Sequence, residues 1–258
     1  MAFTPRMILA VQKRKLARAP GGARWPTLRY EKTCWADGFR LVAGVDEVGR
    51  GSLFGPVVAA AVILDPERPI RGLQDSKLLD APSREVLSAR IRERAVAISV
   101  AAVDSGRIDL LNIYQASRLA MRDAVNGLRP AADYVLIDAL RLDVDLPQLP
   151  IIGGDGRSRS IAAASIVAKV ERDRWMQLWD EVYPEYGLAS NKGYSAPGHL
   201  AALAKHGPTP VHRLSFEPVA RATRFAAGFP DGQLCLFEDL PAGGSLAAEA
   251  AVERRDLD

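Results

Sequence analysis

AGVDEVGRGSLFGPVVAAAVILD, residues 43–65, is the stretch whose reading decides the fold. Two apolar runs, FRLVAGVD at 39–46 and PVVAAAVILD at 56–65, read as strands, with EVGRGSLFG at 47–55 as a tight connection between them. The pair is therefore expected to be a hairpin with functional residues at its mouth. Two features are out of place in a buried hairpin. Asp46 and Glu47 put carboxylates where the strand should be apolar, and Gly49, Gly51 and Gly55 crowd the connection beside them.

Working outward, AISVAAVD (97–104) reads as a third strand, DYVLIDAL (133–140) as a fourth, and LPQLPIIGGD (146–155) contains a fifth. Ser83 precedes a helical pattern in SREVLSARIRERA. RIDLLNIYQASRLAMRDAVNGL (107–128) reads as one helix, with Leu110, Ile113, Leu119, Met121 and Val125 at helical spacing and Gly127 as its end. A long helix is expected over 158–184, its Ala/Ser face small enough to lie close against a sheet, and another near APGHLAALAKHG (196–207). Strands followed by alternating helices imply an α/β protein with a mixed sheet.

Composition limits what such a domain could be. With 258 residues, 48% hydrophobic and 25% charged, the chain suits one large soluble domain with appendages. The boundaries are expected at 1–27 (a basic arm with a short helix around Met7–Arg18), 28–230 (the main domain) and 231–258 (an acidic tail). The charge of +3 hides a gradient: residues 1–40 carry nine Lys/Arg against Glu31 and Asp37, whereas 231–258 carry seven acids against Arg254 and Arg255. A basic arm suits a polyanionic partner, although a solubilising tail has the same composition. Cys34 and Cys235 have no metal-ligand spacing, which fits a reducing cytoplasm. The apolar runs are too short for a signal peptide or a membrane span.

Four acids fall on or just after strands: Asp46 and Glu47 on the first, Asp138 on the fourth and Asp155 after the fifth. An ionised carboxylate in an apolar strand costs several kcal/mol unless compensated. No matching set of basic residues lies on those strands, so hard divalent cations such as Mg²⁺ are the better compensation. That points to two-metal phosphodiester chemistry. The glycines do not make a dinucleotide fingerprint, because the third comes one residue late and Pro56-Val57-Val58 continues as strand. They suit close approach of backbone to a ligand, with Arg50 between them able to pair with phosphate.

GVDEVGRGSLFGPVVAAAVIL, DSKLL, LNIYQASRLAM, VLIDAL, GGDGRSRSIAAASIVAKVERDR and YPEYGLASNKGY, taken in order, resemble the ribonuclease HII family over about residues 42–219. The resemblance implies a ribonuclease H-like fold, a five-stranded mixed sheet flanked by helices with a helical C-terminal segment. It implies an endonuclease acting on RNA/DNA hybrids and on single ribonucleotides in duplex DNA, cutting 5′ of the ribonucleotide to leave 3′-hydroxyl and 5′-phosphate ends. By position, Asp46, Glu47, Asp138 and Asp155 would be catalytic and hold two Mg²⁺ or Mn²⁺ ions with substrate. Gly49, Arg50, Gly51 and Tyr194 would read the ribose 2′-OH, the group that distinguishes RNA from DNA. Lys77 is similar to a position near the substrate backbone, with Lys169 and Lys192 as alternative phosphate contacts. Asn191 stands where the family usually shows His, and Ser195-Ala196 where Thr is common.

Two rivals fit the same residues: another two-metal nuclease of the same fold, and a catalytically silent nucleic-acid-binding module. Four carboxylates argue against the second, because they repel phosphate. In the tail, Gln233, Leu234, Leu236 and Phe237 in QLCLF resemble the pentapeptide by which bacterial replication and repair proteins bind the sliding clamp. Leu236 and Phe237 would be its apolar anchors, unless they dock on the protein's own core. A cytoplasmic monomer is expected.

Overall fold

The computed structural model describes residues 25–226. The expected helix at Met7–Arg18, Cys235 and the Gln233–Phe237 motif lie outside the described residues.

Helix α1 (Arg29–Ala36) leads into β1 (Val42–Val48) and β2 (Val57–Ile63), which pair antiparallel with Asp46 opposite Ala60. Then follow α2 (Ala81–Arg94), β3 (Ala97–Val103), α3 (Ser105–Leu111), α4 (Ile113–Asn126), β4 (Tyr134–Asp138) and β5 (Gln148–Ile151). The chain continues as α5 (Arg159–Val182), α6 (Leu188–Asn191), α7 (Pro197–His206) and α8 (Glu217–Ala226). The five strands lie in the order β3-β2-β1-β4-β5. The β3–β2 and β2–β1 pairs are antiparallel, whereas β1–β4 and β4–β5 are parallel. The expected mixed sheet is thus present, and β1 is its central strand.

Alternation along β1 divides the core. Ala43 and Val45 join Val57, Ala59, Val135 and Ile137 against Ala116, Ala120 and Met121 of α4. On the other face Ala60 and Val62 of β2 pack on Ala162, Ala163, Ile166 and Val167 of α5. Gly44 faces α5 so closely that a Cβ there would lie 2.0 Å from the Ser160 carbonyl carbon. The absence of a side chain at Gly44 lets the helix rest on the strand's backbone. A third cluster (Phe54, Met176, Tyr186, Leu188, Leu203 and Val219) joins the β1–β2 connection to the C-terminal helices.

Three details differ from the sequence reading. The expected single helix at 107–128 is α3 and α4, broken at Asn112, whose φ is 66° and whose side chain caps α4 by accepting from Gln115 N–H at 3.1 Å. An Asn tolerates positive φ and competes for backbone hydrogen bonds, so it ends one helix and starts the next. The N-cap of α2 is Asp80 rather than Ser83; its carboxylate accepts from Ser83 N–H at 2.9 Å. Finally, α1 was not expected, whereas α8 belongs to the helical C-terminal segment that the resemblance implies. The buried Glu31 of α1 accepts from Ser158 Oγ (2.7 Å) and Ser160 N–H (2.9 Å), fastening the start of α5.

Candidate active site

β1 and β4 are parallel neighbours, as are β4 and β5, so their C-terminal ends share one edge of the sheet. Asp46 and Glu47 lie near the end of β1 and Asp138 is the last residue of β4, paired with Ile151 at the end of β5. A one-turn 3₁₀ helix (Gly154–Gly156) then presents Asp155. The carboxyl ends of parallel strands are where open α/β sheets bind ligands.

Three of the four acids are held by a backbone N–H. Asp46 Oδ1 accepts from Glu47 N–H at 2.8 Å, Asp138 Oδ1 from Gly154 N–H at 2.7 Å, and Asp155 Oδ1 from Gly156 N–H at 2.9 Å. Ala139, directly after Asp138, has a φ of 56°, an uncommon conformation for a residue with a side chain.

These groups disturb one another's titration. Burial, then the charges of Glu47 and Asp138, pushes the Asp46 carboxyl well above the usual range, against a hydrogen bond from Ser165. Glu47 is also raised by burial, with Arg50 opposing the shift. Asp155 is raised by burial and Asp75, with Lys77 opposing. Among the described residues two flexible cations pair with this group: Arg50 Nη1 lies 3.1 Å from Glu47 Oε1 and Lys77 Nζ 3.6 Å from Asp155 Oδ2. The other Glu47 oxygen, Oε2, is buried without a hydrogen-bond partner.

Among the described residues no three His, Cys, Asp or Glu side chains are grouped tightly enough to hold a metal ion by themselves. The donor chemistry nevertheless fits one: hard carboxylate oxygens, unrelieved mutual repulsion and an unpartnered buried oxygen are what a divalent cation compensates.

The substrate-reading candidates also meet. A Cβ at Gly51 would lie 3.9 Å from Tyr194 Cε1, and Leu53 N–H donates to Gly193 O at 2.8 Å. Tyr194 is 38% exposed, so its ring is available at the surface beside the glycine loop. The alternative phosphate contacts are engaged within the protein: Lys169 Nζ donates to Asp173 Oδ1 at 2.6 Å, and Lys192 Nζ donates to Ala189 O. Asn191 is the last residue of α6, donating to Tyr186 O and accepting from Gly193 N–H at 2.7 Å.

Several residues missed from the sequence support this site. Ser76, in the turn that carries Lys77, is 2.9 Å from Ser165, which lies beside Asp46. Behind Tyr194, two buried histidines form a chain whose tautomers are determined by their partners. Thr209 N–H donates to His212 Nδ1 (2.9 Å), so His212 carries its proton on Nε2 and donates to His199 Nε2 (3.0 Å). His199 then carries its proton on Nδ1 and donates to Tyr194 O at 2.9 Å. Burial, and then the neighbouring His199, lowers His212 to about 3. No sequence signal marks these residues, since a buried polar residue is visible only by its partners.

A family model described as Ribonuclease HII matches residues 43–219. The ribonuclease HII of Solibacter usitatus (strain Ellin6076) is 62% identical over 208 residues, 81% of this chain and 91% of that protein. Among solved structures, the PCNA:RNase HII complex from Archaeoglobus fulgidus aligns with a TM-score of 0.60 and 26% identity, covering 70% of this chain and 96% of that one. Bst-RNase HIII in complex with Mn²⁺ has the same fold at a TM-score of 0.56 and 21% identity, covering 72% of this chain and 70% of that one.

Proposed function

Because the chain belongs to the ribonuclease HII family, an endoribonuclease family that cleaves RNA in RNA/DNA hybrids, we propose that Asp46, Glu47, Asp138 and Asp155 are its metal-holding catalytic carboxylates. The observation that carries this reading is their placement on one sheet edge, where burial and mutual repulsion raise Asp46, Glu47 and Asp155 together. Mg²⁺ or Mn²⁺, two ions with substrate, would supply a water of lowered pKa and stabilise charge on the attacking and leaving oxygens.

The protein's own contributions follow from its geometry. The N–H groups of Glu47, Gly154 and Gly156 orient three carboxylates, and such supporting bonds maintain ligand geometry. Arg50 and Lys77, 43% and 81% exposed in their side chains, are free to turn from Glu47 and Asp155 to substrate phosphates. Gly49, Gly51 and Tyr194 then meet the ribose of the junction nucleotide. Without its 2′-OH, polar groups directed there are left unpaired, and that penalty selects for RNA.

The finer activity we propose is incision 5′ of a single ribonucleotide in duplex DNA, leaving 3′-hydroxyl and 5′-phosphate ends, by one catalytic domain at 28–230 acting in the cytoplasm. No described helix is long and apolar enough to cross a membrane. A cleavage assay on DNA duplexes with and without one ribonucleotide tests this: incision only at the ribonucleotide, lost on metal removal and in Asp46→Asn, is expected. Equal cleavage of both duplexes contradicts it.

We also propose that Gln233, Leu234, Leu236 and Phe237 bind the bacterial sliding clamp. The archaeal enzyme solved with PCNA supports a ribonuclease HII–clamp association. Clamp pull-down should be lost when Leu236 and Phe237 are both changed to Ala; equal retention rejects it.

A further inference from the structure

The fully buried polar side chains include two arginines, Arg172 on α5 and Arg213 before α8. Neither makes an ion pair with a carboxylate among the described residues, although an unpaired buried cation is costly. Their hydrogen bonds go to backbone carbonyls and one hydroxyl, with Arg213 Nη2 left buried without a partner. Arg172 donates from Nε to Pro56 O (3.2 Å), from Nη1 to Lys192 O (2.9 Å), and from Nη2 to Ser52 Oγ (2.7 Å) and Phe54 O (3.1 Å). Arg213 donates from Nε to Gly55 O (2.9 Å) and from Nη1 to Arg50 O (2.8 Å).

These acceptors have a pattern. All but one belong to the connection 49–56 between β1 and β2, and the exception, Lys192, is two residues before Tyr194. Two segments separated by about 140 positions are thus gripped by one guanidinium. Gly49 shows how tight the grip is: its φ is 88° and a Cβ there would fall 2.2 Å from Arg172 Nε. The Arg172 guanidinium carbon also lies 5.7 Å from the centre of the Tyr194 ring. Along α5, Arg172 is two turns beyond Ser165, which flanks Asp46. One rigid helix therefore contacts both the carboxylate group and the substrate-reading loops.

We propose that Arg172 is a positioning residue for specificity: its planar fork sets the distance between the Gly49-Arg50-Gly51 loop and Tyr194, and so the register in which a 2′-OH is read. This rests on the reading of Tyr194 given above. A lysine would keep the charge, but its single nitrogen cannot replace a fork whose three nitrogens reach acceptors in two loops. Arg213 grips the same connection at Gly55 and Arg50, but the bond to the segment leading into Tyr194 is made by Arg172.

The test is a double-mutant cycle between Arg172→Lys and Tyr194→Ala, with kcat and KM measured on duplex DNA containing one ribonucleotide, in Mg²⁺. Arg172→Lys is expected to lower kcat by about tenfold or more with KM changed less than about threefold. In the Tyr194→Ala background the same substitution should cost less than about threefold, because the residue it positions is already gone. If the two losses multiply, Arg172 does not act through Tyr194 and the inference is overturned. If Tyr194→Ala alone leaves cleavage unchanged, the reading of Tyr194 fails first and takes the inference with it. Should Arg172→Lys not fold, as judged by a thermal melt, Ser52→Ala replaces it in the cycle with the same two outcomes. That change removes only one acceptor of the fork.

Discussion

Acidification should weaken the fold through one identifiable contact, the bond between His199 and His212. In the neutral pair every ring nitrogen is in use: Thr209 N–H points at His212 Nδ1, His212 Nε2 at His199 Nε2, and His199 Nδ1 at Tyr194 O. A further proton on His212 Nδ1 would face an N–H donor, and one on His199 Nε2 would face another. The native His212 therefore resists protonation, down to about 3, whereas an unfolded His titrates near 6.5. The folded pKa is depressed, so the stabilisation is fully present above about pH 6.5 and is lost as the pH falls toward 3. At pH 5 the unfolded state has gained about 1.5 pKa units of protonation that the native state has not, or about 2 kcal/mol. At about 2–4 °C per kcal/mol for a domain of this size, that is about 4–8 °C in Tm.

The buried carboxylates Asp46, Glu47 and Asp155 are raised, so in metal-free protein their effect has the opposite sign. The measurement must therefore be a difference. Urea and thermal unfolding of wild type and His212→Gln at pH 7 and pH 5, in chelator, isolates the histidine contribution. The variant should be the less stable chain at pH 7, and the gap should narrow by about 2 kcal/mol at pH 5. A gap that is the same at both pH values refutes the neutral-pair argument.

Gly44→Ala puts a methyl 2.0 Å from the backbone of α5, an overpacking that should destabilise by about 3 kcal/mol; a fall in Tm below about 2 °C would show that the helix moves aside freely. Asp46→Asn should abolish cleavage yet raise the Tm of metal-free protein at pH 7, because its carboxyl is raised in the fold and its charge opposes folding at that pH. A lower Tm in chelator would contradict the repulsion assigned to this group. Removing residues 1–24, which hold six Lys/Arg and no acid, should reduce the slope of log affinity against log salt by up to about 5 if the arm contacts DNA. An unchanged slope assigns the arm another role.

Local pattern accounts well for the part of the fold that holds the carboxylates. Strand periodicity places Asp46, Glu47 and Asp138 at strand ends, and the cost of burying charge points to cations whichever way the strands are ordered. Pattern fails at Asn112, where apolar spacing runs through a residue that breaks the helix by its own backbone preference. It fails again at Ser83, because an Asp three residues earlier is the better cap. Glu31, Arg172, Arg213, His199 and His212 are charged or polar residues that composition would place at the surface. The burial of Glu31, Arg172 and Arg213 is offset by partners far away in sequence, as with Glu31 and Ser158 or Arg172 and Ser52, and that of the two histidines by each other and by Tyr194 and Thr209.

The amino-acid sequence alone thus determined the strand-borne acids, the glycine loop after β1 and the family they resemble, because each depends on residue types within one short segment. Only the tertiary structure decided that Tyr194 lies beside Gly51, that Lys169 and Lys192 are already engaged, and that a buried guanidinium joins the 49–56 connection to the segment before Tyr194. The lysine bonds are local, to Asp173 and Ala189, but the other two are long-range contacts that exist only where the sheet order and the packing of α5 bring distant segments within reach of one side chain.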